Sequence, residues 1–150
     1  MAEIFKVEII TPDRIFYEGD AEFLEFTTAA GDIGVYAKHI PMTTVLAPGA
    51  VIIHKGEEET VAAVHSGFAE ILGDKVTLLA EIAEWPEEID VSRAEAAKAR
   101  AEEHIANKTM ETDIKRAEFA LRRALTRIDS CKKFKWDCGH IFEVAVVSVW

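Results

Sequence analysis

The sequence has fewer basic than acidic residues, and this shortage limits the kinds of partner that it can bind. The 150 residues include 17 lysines and arginines against 27 acidic residues, which gives a formal net charge of −10. Binding to nucleic acid requires Lys and Arg to neutralise phosphates, and adhesion to an anionic lipid surface requires the same charges. The composition therefore argues against nucleic acid and against an anionic membrane surface as partners.

Long apolar runs, a signal peptide and catalytic motifs are also missing. No run approaches the roughly 18–20 apolar residues that span a bilayer, and residues 1–6 lack the basic start of a signal peptide. We therefore expect no membrane insertion and a cytosolic location, where Cys131 and Cys138 are reduced. Because there is no Gly-rich phosphate loop and no Ser or Cys nucleophile motif, we expect that the chain is not an enzyme on its own.

The acidic residues that are present are unevenly distributed along the chain. Residues 1–88 contain 17 acids and 5 bases, a net charge of −12, whereas residues 89–150 contain 10 acids and 12 bases, a net charge of +2. About half of the residues are apolar, which is enough for a buried core. The charge pattern predicts a boundary near residue 88 between an acidic first part and a mildly basic second part.

The first part has the pattern of short strands separated by turns. Phe5, Val7 and Ile9 alternate with other residues, as in a strand with one buried face. Two hairpins are predicted, one around 55–59 and one in which Gly73-Asp74-Lys75 joins the strands 68–72 and 76–80. With no long helical pattern in this part, the sequence predicts a β-sandwich of about 8–10 strands over residues 1–86.

The second part changes to a helical period and predicts an antiparallel two-helix hairpin over residues 87–128. One helix spans 91–108 after Asp90, whose carboxylate is placed to cap it, and the other spans 111–128, with 107–109 as the connecting loop. Apolar residues recur every three or four positions, as at a helix–helix contact. They are Ala94, Ala97, Ala101 and Ile105 in the first helix, and Ile114, Ala117, Leu121, Ala124 and Ile128 in the second.

The abundance of alanine along this contact predicts a weakly held hairpin. A buried methyl group contributes only about 0.8 kcal/mol, so total apolar burial is modest and the helix pair is marginally stable without a partner. Docked and undocked forms then lie within a few kcal/mol of each other, as a conformational switch requires.

Over residues 3–128 the chain resembles the epsilon subunit of bacterial proton-driven ATP synthases. The resemblance is carried by Gly31-Asp32-Ile33-Gly34-Val35-Tyr36, His39-Ile40-Pro41, Pro48-Gly49, Ser66-Gly67-Phe68-Ala69-Glu70, Val76–Glu81 and Ile89-Asp90-Val91-Ser92-Arg93-Ala94. It implies a sandwich that binds the gamma subunit and the c-ring. It also implies a hairpin that either folds on the sandwich or extends into the alpha and beta subunits and blocks ATP hydrolysis. The implied location is peripheral, at the cytoplasmic face of the bacterial cell membrane.

Four arginines are candidates for binding a regulatory ATP, although no cofactor is required. Arg93 and Arg100 share a face of the first helix, and Arg123 and Arg127 share a face of the second. Guanidinium groups suit polyphosphates because they form two hydrogen bonds in fixed geometry. The resemblance implies a nucleotide site made of Glu84, Ile89, Asp90, Arg93, Ala94, Arg100, Arg123 and Arg127. The alternative is that these arginines are solvated helix residues, paired with acids as Glu118 and Arg122 are placed to be.

The same resemblance assigns two further contact surfaces. The basic residues of the second helix are expected to meet an acidic segment of the beta subunit when the hairpin extends, in competition with ATP; they are Lys115, Arg116, Arg122, Arg123 and Arg127. Asp32 and His39, expected in one loop, are assigned to the interface with gamma and the c-ring, although His39 also fits an ordinary exposed loop histidine. Ala37 and Lys38 stand where many members of the family carry Pro and Gly.

Two alternatives to this interpretation remain open, and one segment is left without an assigned role. Within the family, the chain is a purely structural coupling subunit that never inhibits. Outside it, His54 and His65 facing each other across a hairpin, with Glu59 or Glu70, would form the metal site of a small enzyme, although no site with three ligands at typical spacing is present. Residues 129–150 differ from the family: Cys131, Cys138 and His140 offer three zinc ligands, and 141–150 is an apolar run that fits an extra strand, a lineage-specific addition or a gene-end artefact.

Overall fold

The computed structural model describes the backbone of residues 2–107 and 111–139, and the side chains of 2–107 and 113–133. Within these ranges ten strands are followed by a 3₁₀ turn and two helices, which confirms the predicted fold class. The strands are β1 (Phe5–Ile10), β2 (Ile15–Ala21), β3 (Phe23–Thr28), β4 (Gly31–Tyr36), β5 (Met42–Leu46), β6 (Gly49–Lys55), β7 (Glu58–Val64), β8 (Gly67–Ile71), β9 (Lys75–Ala80) and β10 (Ala83–Glu84). The 3₁₀ turn is Pro86–Glu88, and the helices are α1 (Val91–Asn107) and α2 (Glu111–Gly139).

The strands form a sandwich around one apolar core. Their order is β10-β7-β6-β3-β5-β8-β9-β1-β2, with β4 paired to the free side of β3. All pairs are antiparallel except β1 with β9. Phe5, Val7 and Ile9 point into the core, as their alternation predicts, and Leu24 and Phe26 of β3 join them there. In strands such as β1 and β3, alternate residues thus build the interior and leave the other face for contacts.

Both predicted hairpins are present. Lys55 pairs with Glu58 at the end of the β6–β7 ladder, and Gly56 occupies the turn with a positive φ of 61°. Ile71 pairs with Val76 at the end of the β8–β9 ladder. Glycine accepts a positive φ because it has no Cβ to collide with the backbone.

The two helices pack side by side through small residues. Asp90 Oδ1 accepts a hydrogen bond from the backbone N–H of Arg93 at 3.1 Å and so caps α1, as predicted. The buried residues at the helix contact include Ala94 and Ala101 of α1 with Ala117 and Ala124 of α2. Part of the predicted connecting loop, residues 108–110, lies outside the described residues. The alanine-lined contact means that the helices bury few methylene groups against each other.

The second helix is longer than the sequence pattern predicts. It was expected to end at residue 128, but it continues to Gly139. Ala124, Ile128 and Cys131 are all buried, because spacings of four and three residues carry the apolar stripe of α2 beyond the predicted end. The first part of the predicted atypical tail is therefore helix. The candidate zinc ligands Cys138 and His140 and the apolar run at 141–150 lie outside the residues whose side chains the structure describes.

Candidate functional site

The hairpin meets the sandwich over a small apolar contact. Helix α2 packs on β6, β7 and the 3₁₀ turn, where Ala63, Ile89 and Cys131 form a buried cluster. The Sγ atom of Cys131 lies 3.5 Å from the carbonyl oxygen of Pro86. Since this cluster consists of small and medium side chains, its apolar burial alone holds the hairpin weakly.

A polar cluster beside this contact links the sandwich to α2. His65 Nε2 lies 2.9 Å from Glu84 Oε1, and Arg127 Nε donates to the same oxygen at 2.8 Å. The His65 side chain is buried, and its Nδ1 atom has no hydrogen-bond partner. One carboxylate oxygen thus bonds the rigid sandwich and the docked helix at the same time.

The surroundings of Glu84 keep its carboxyl group charged. The hydrogen bond from His65 lowers the pKa of Glu84, burial opposes this, and the hydrogen bond and charge of Arg127 lower the pKa further. The neighbouring Trp85 ring stacks on Phe16 with centroids 4.2 Å apart, which fixes the chain where β10 ends. Arg127 therefore meets an anion held in place by the sandwich.

The structure places the other predicted nucleotide-site residues in different surroundings. Ile89 packs in the apolar cluster, Asp90 caps α1, and Ala94 is buried between the helices. Arg93 is exposed at the start of α1. These positions adjoin the Glu84–Arg127 pair along the chain, but their contacts in this structure are internal ones, so the nucleotide site stays a prediction.

The two remaining arginines of that site lie farther along the helices. The Arg123 guanidinium lies over the Phe119 ring, 5.5 Å from its centroid. Arg100 lines a cleft of about 560 Å³ between the helices, opposite Arg116. His104 and Asp113 line the same cleft. The structure therefore brings Arg127 to Glu84 and places Arg100 and Arg116 around one cleft, a grouping that helical spacing alone did not indicate.

Asp32 and His39 are not in one loop, which corrects the prediction. Asp32 lies in β4 opposite Thr27 and accepts a hydrogen bond from the Thr27 hydroxyl at 2.7 Å. His39 follows the other end of β4, half-buried, with Nδ1 2.7 Å from the Ile40 carbonyl oxygen. The segment 31–34 resembles a loop because it contains two glycines, yet it pairs along its whole length with β3.

The turn before His39 keeps a glycine-like backbone although it carries lysine. Lys38 has φ of 62°, and its N–H donates to the carbonyl oxygen of Gly73 at 2.6 Å. A non-glycine residue in this conformation costs about 1 kcal/mol. The backbone at this position is therefore left-handed although the residue is lysine and not glycine.

His54 and His65 do not face each other, so the alternative of a metal site across this hairpin is wrong. His54 in β6 pairs with Glu59, and its ring lies 3.1 Å from Glu59 and 3.4 Å from Glu25. His65 falls beyond the end of β7 and turns to Glu84 instead. Within the described part of the chain, no three His, Cys, Asp or Glu residues are placed to hold a metal ion.

An exposed apolar row on the sandwich was missed by the sequence analysis. Val45, Phe68 and Leu79 are cross-strand neighbours on β5, β8 and β9, with 50%, 57% and 50% of their surfaces exposed. Ile10 of β1, opposite Leu79, completes the row. Apolar doublets at Ile9-Ile10, Val45-Leu46 and Leu78-Leu79 are the sequence signal, since adjacent strand residues point to opposite faces.

Basic residues of α2 lie along the acidic side of the sandwich. Lys132 and Lys133 line a groove with Glu25 and Glu59, and Lys133 lines a second one with Asp32. Opposite charges at this range attract, although salt screens exposed groups. The basic second part of the chain thus faces the acidic first part within the folded molecule.

None of the described helices is both long enough and apolar enough to cross a bilayer.

Comparisons with known proteins agree with this architecture. Residues 4–86 match the family described as "ATP synthase, Delta/Epsilon chain, beta-sandwich domain", and residues 87–132 match its "long alpha-helix domain". The ATP synthase epsilon chain of Shouchella clausii is 52% identical over 85% of this chain and 94% of its own length. That of Caldanaerobacter subterraneus subsp. tengcongensis is 45% identical over 90% and 99%.

A solved structure shares the fold at low sequence identity. A chain in the Euglena gracilis mitochondrial ATP synthase complex of OSCP, F1 and c-ring superposes with a TM-score of 0.72 at 22% identity. The match covers 81% of this chain and 78% of that one, and it supports the fold alone. With both parts of the chain matched, the protein belongs to the ATP synthase epsilon chain family, a family of non-catalytic subunits.

Proposed function

We propose that this chain is the epsilon subunit in the central stalk of a bacterial proton-driven ATP synthase, where it couples rotation and inhibits ATP hydrolysis through its hairpin. The observation that carries the proposal is the weak hold of the sandwich on the hairpin. The contact includes a small apolar cluster, Ala63, Ile89 and Cys131, and the partly exposed Glu84–Arg127 pair. Docked and undocked forms separated by a few kcal/mol are the requirement for a regulatory switch.

In this proposal the sandwich binds two partners of the stalk. The apolar row at Ile10, Val45, Phe68 and Leu79 is the contact for the gamma subunit, since contiguous exposed apolar side chains mark protein-binding surfaces. The tip of the sandwich near His39 is the contact for the c-ring. Its exposed apolar side chains are Tyr36, Ile40, Met42 and Leu72. Contact with the ring makes the subunit peripheral at the cytoplasmic face of the cell membrane.

The undocked hairpin inhibits by reaching the alpha and beta subunits with its basic helix. Lys115, Arg116, Arg122, Arg123 and Arg127 supply positive charge for an acidic segment there. In the docked form the acidic side of the sandwich faces α2 through Lys132 and Lys133. The sandwich and the catalytic head thus compete for one basic helix, and small energy differences decide the outcome.

Removing residues 89–150 tests the inhibitory role. We expect the assembled catalytic head with the truncated chain to hydrolyse ATP about fivefold or more faster than with the full chain, a typical size for coupling between sites. Steady-state hydrolysis of the reconstituted complex is the measurement. The control is binding of the truncated sandwich to gamma, which should be unchanged. Equal hydrolysis rates would favour the alternative of a purely structural coupling subunit.

ATP is the proposed effector of the docked form. Arg93 and Arg100 are exposed and make no ion pair within the described part of the chain, so both are available to a polyphosphate. A ligand that binds only one form stabilises it by an amount that grows with the logarithm of the ligand concentration, about 2.7 kcal/mol at a hundred times the dissociation constant. A half-buried Arg127 beside Glu84 would add a third cation from α2.

Thermal unfolding of the isolated chain checks this effect. Millimolar ATP should raise the melting temperature of the wild type by several degrees, and Arg93→Ala or Arg127→Ala should abolish the rise. Arg122→Ala, an exposed arginine outside the proposed nucleotide site, is the matched control and should keep it. An absence of any shift in the wild type would remove the ATP role and leave the coupling role intact.

A further inference from the structure

We propose that His65 is a proton-sensitive clamp on the hairpin. In its neutral form the imidazole positions Glu84 for Arg127, and in its protonated form it displaces Arg127 and releases α2. The inference rests on the proposed undocking of the hairpin. It adds a control of that equilibrium that belongs to the chain alone and needs no nucleotide.

The geometry fixes the hydrogen on one nitrogen of the neutral ring. A carboxylate only accepts hydrogen bonds, so the 2.9 Å contact between His65 Nε2 and Glu84 Oε1 requires the proton on Nε2. Nδ1 is then a bare lone pair, buried and without a partner. The backbone N–H of His65 donates to Ile82 at 3.1 Å, which anchors the residue to the sandwich.

Protonation at Nδ1 disfavours the docked arrangement in two ways. It creates a buried N–H donor that has no acceptor, which is unfavourable and more so for a charged group. It also puts a second cation on the oxygen that Arg127 already uses, at 2.8 Å. Because His65 is anchored and Arg127 belongs to the weakly held helix, Arg127 is the partner that leaves.

Release of α2 removes the crowding of two cations on one carboxylate oxygen. Without the guanidinium, one carboxylate faces one imidazolium. The undocked form therefore accommodates the proton better than the docked form. By linkage, the form that binds more protons gains as the pH falls, so acidification favours release of α2.

The other charged groups around the cluster are already engaged. Glu88 of the 3₁₀ turn pairs with Arg14, from the turn before β2, at 3.1 Å, and Glu81 accepts a hydrogen bond from the Ser66 hydroxyl at 2.6 Å. The pKa of Glu84 is lowered by His65 and Arg127, so its carboxyl group stays charged. The buried imidazole of His65, with one ring nitrogen unpartnered, is therefore the group on which the clamp depends.

The native Cys131 thiol reports docking directly. It is 6% exposed against Ala63 and Ile89, so it reacts with an aromatic disulfide only after α2 moves away. Cys138→Ala makes Cys131 the single thiol of the full-length chain. Dividing the labelling rate of the denatured chain by that of the native chain at each pH gives a protection factor, from which ionisation of the thiol cancels.

We expect the protection factor to fall about tenfold or more between about pH 7.5 and about pH 5.5, as linkage to one proton allows. His65→Gln, whose amide donates to Glu84 but never takes up a proton, should show constant protection. His39→Gln is the matched control and should keep the full pH dependence. Equal pH dependence with and without His65, or none in the parent chain, would overturn the clamp.

Arg127→Ala provides a second variant that leaves the sandwich untouched, and it should show low protection at every pH with no pH dependence. The same data separate this inference from the proposed function. If Cys131 reacts only at the rate of global unfolding, the hairpin never releases and both ideas fail. If it reacts faster than global unfolding but equally at all pH values, undocking stands and only the clamp is wrong.

Discussion

Gly67→Ala should cost the sandwich about 4 kcal/mol of its free energy of unfolding, the largest effect expected from a single methyl group. Gly67 has φ of 140°, a backbone conformation that costs other residues about 1–3 kcal/mol. A Cβ there would also overlap the carbonyl oxygen of Leu79 and lie 3.0 Å from Ala80 Cα. Those atoms belong to the backbone of β9, which cannot shift without breaking the pairing of Gly67 with Ala80.

Gly31→Ala is the matched control, because it separates the steric cost from the conformational one. Gly31 has a similar φ of 131°, yet no atom lies within 4 Å of the added Cβ. It should therefore lose only the conformational part, about 1–3 kcal/mol. Denaturant titration followed by circular dichroism measures both variants. Equal losses for Gly31→Ala and Gly67→Ala would show that the close approach of β8 to β9 contributes nothing.

The strands could be predicted because each is a local pattern. Phe5, Val7 and Ile9 alternate, and the turns around Gly56 and Gly73 mark both hairpins by composition alone. β10 was not predicted, since two residues are too short to show a period. It matters nonetheless, because pairing of Glu84 with Ala63 places the carboxylate beside α2.

The end of α2 and the two histidines show where sequence patterns were insufficient. The apolar stripe continues through Cys131, but residues 129–150 were interpreted as an atypical tail because they differ from the family pattern. His54 and His65 have strand-like neighbours, and only the register shows that His65 lies outside the β6–β7 ladder. Register depends on the pairing of whole strands, which a single residue does not reveal.

The polar cluster could not be derived from spacing because its members come from three distant segments. His65, Glu84 and Arg127 meet only after β10 has paired with β7 and α2 has docked. Helical spacing correctly put Arg123 and Arg127 on related faces of α2, but the docking angle decides which of them reaches Glu84. Tertiary packing therefore decides which side chains form the cluster, whereas local patterns show only which side chains are present.

Ala63→Lys is expected to undock the hairpin while the sandwich stays folded. Ala63 is fully buried against Ile89 and Cys131, outside the core of the sandwich, and it pairs across the strands with Glu84. A lysine there overpacks the contact and offers Glu84 a second cation in place of Arg127. The combined cost of about 3 kcal/mol shifts the docking equilibrium about a hundredfold, which the protection factor of Cys131 measures.

Ala96→Lys, the same substitution at an exposed position of α1, should leave Cys131 protected. Because Ala63→Lys changes no residue of the hairpin, its effect on the assembled synthase reports docking alone. Undocking should slow ATP hydrolysis, because the freed hairpin inhibits. Deletion of residues 89–150 should accelerate hydrolysis, because the inhibiting hairpin is gone. A structural coupler would show neither change. Faster hydrolysis with Ala63→Lys would mean that the docked hairpin is the inhibitory form, and the proposed direction of the switch would then be wrong.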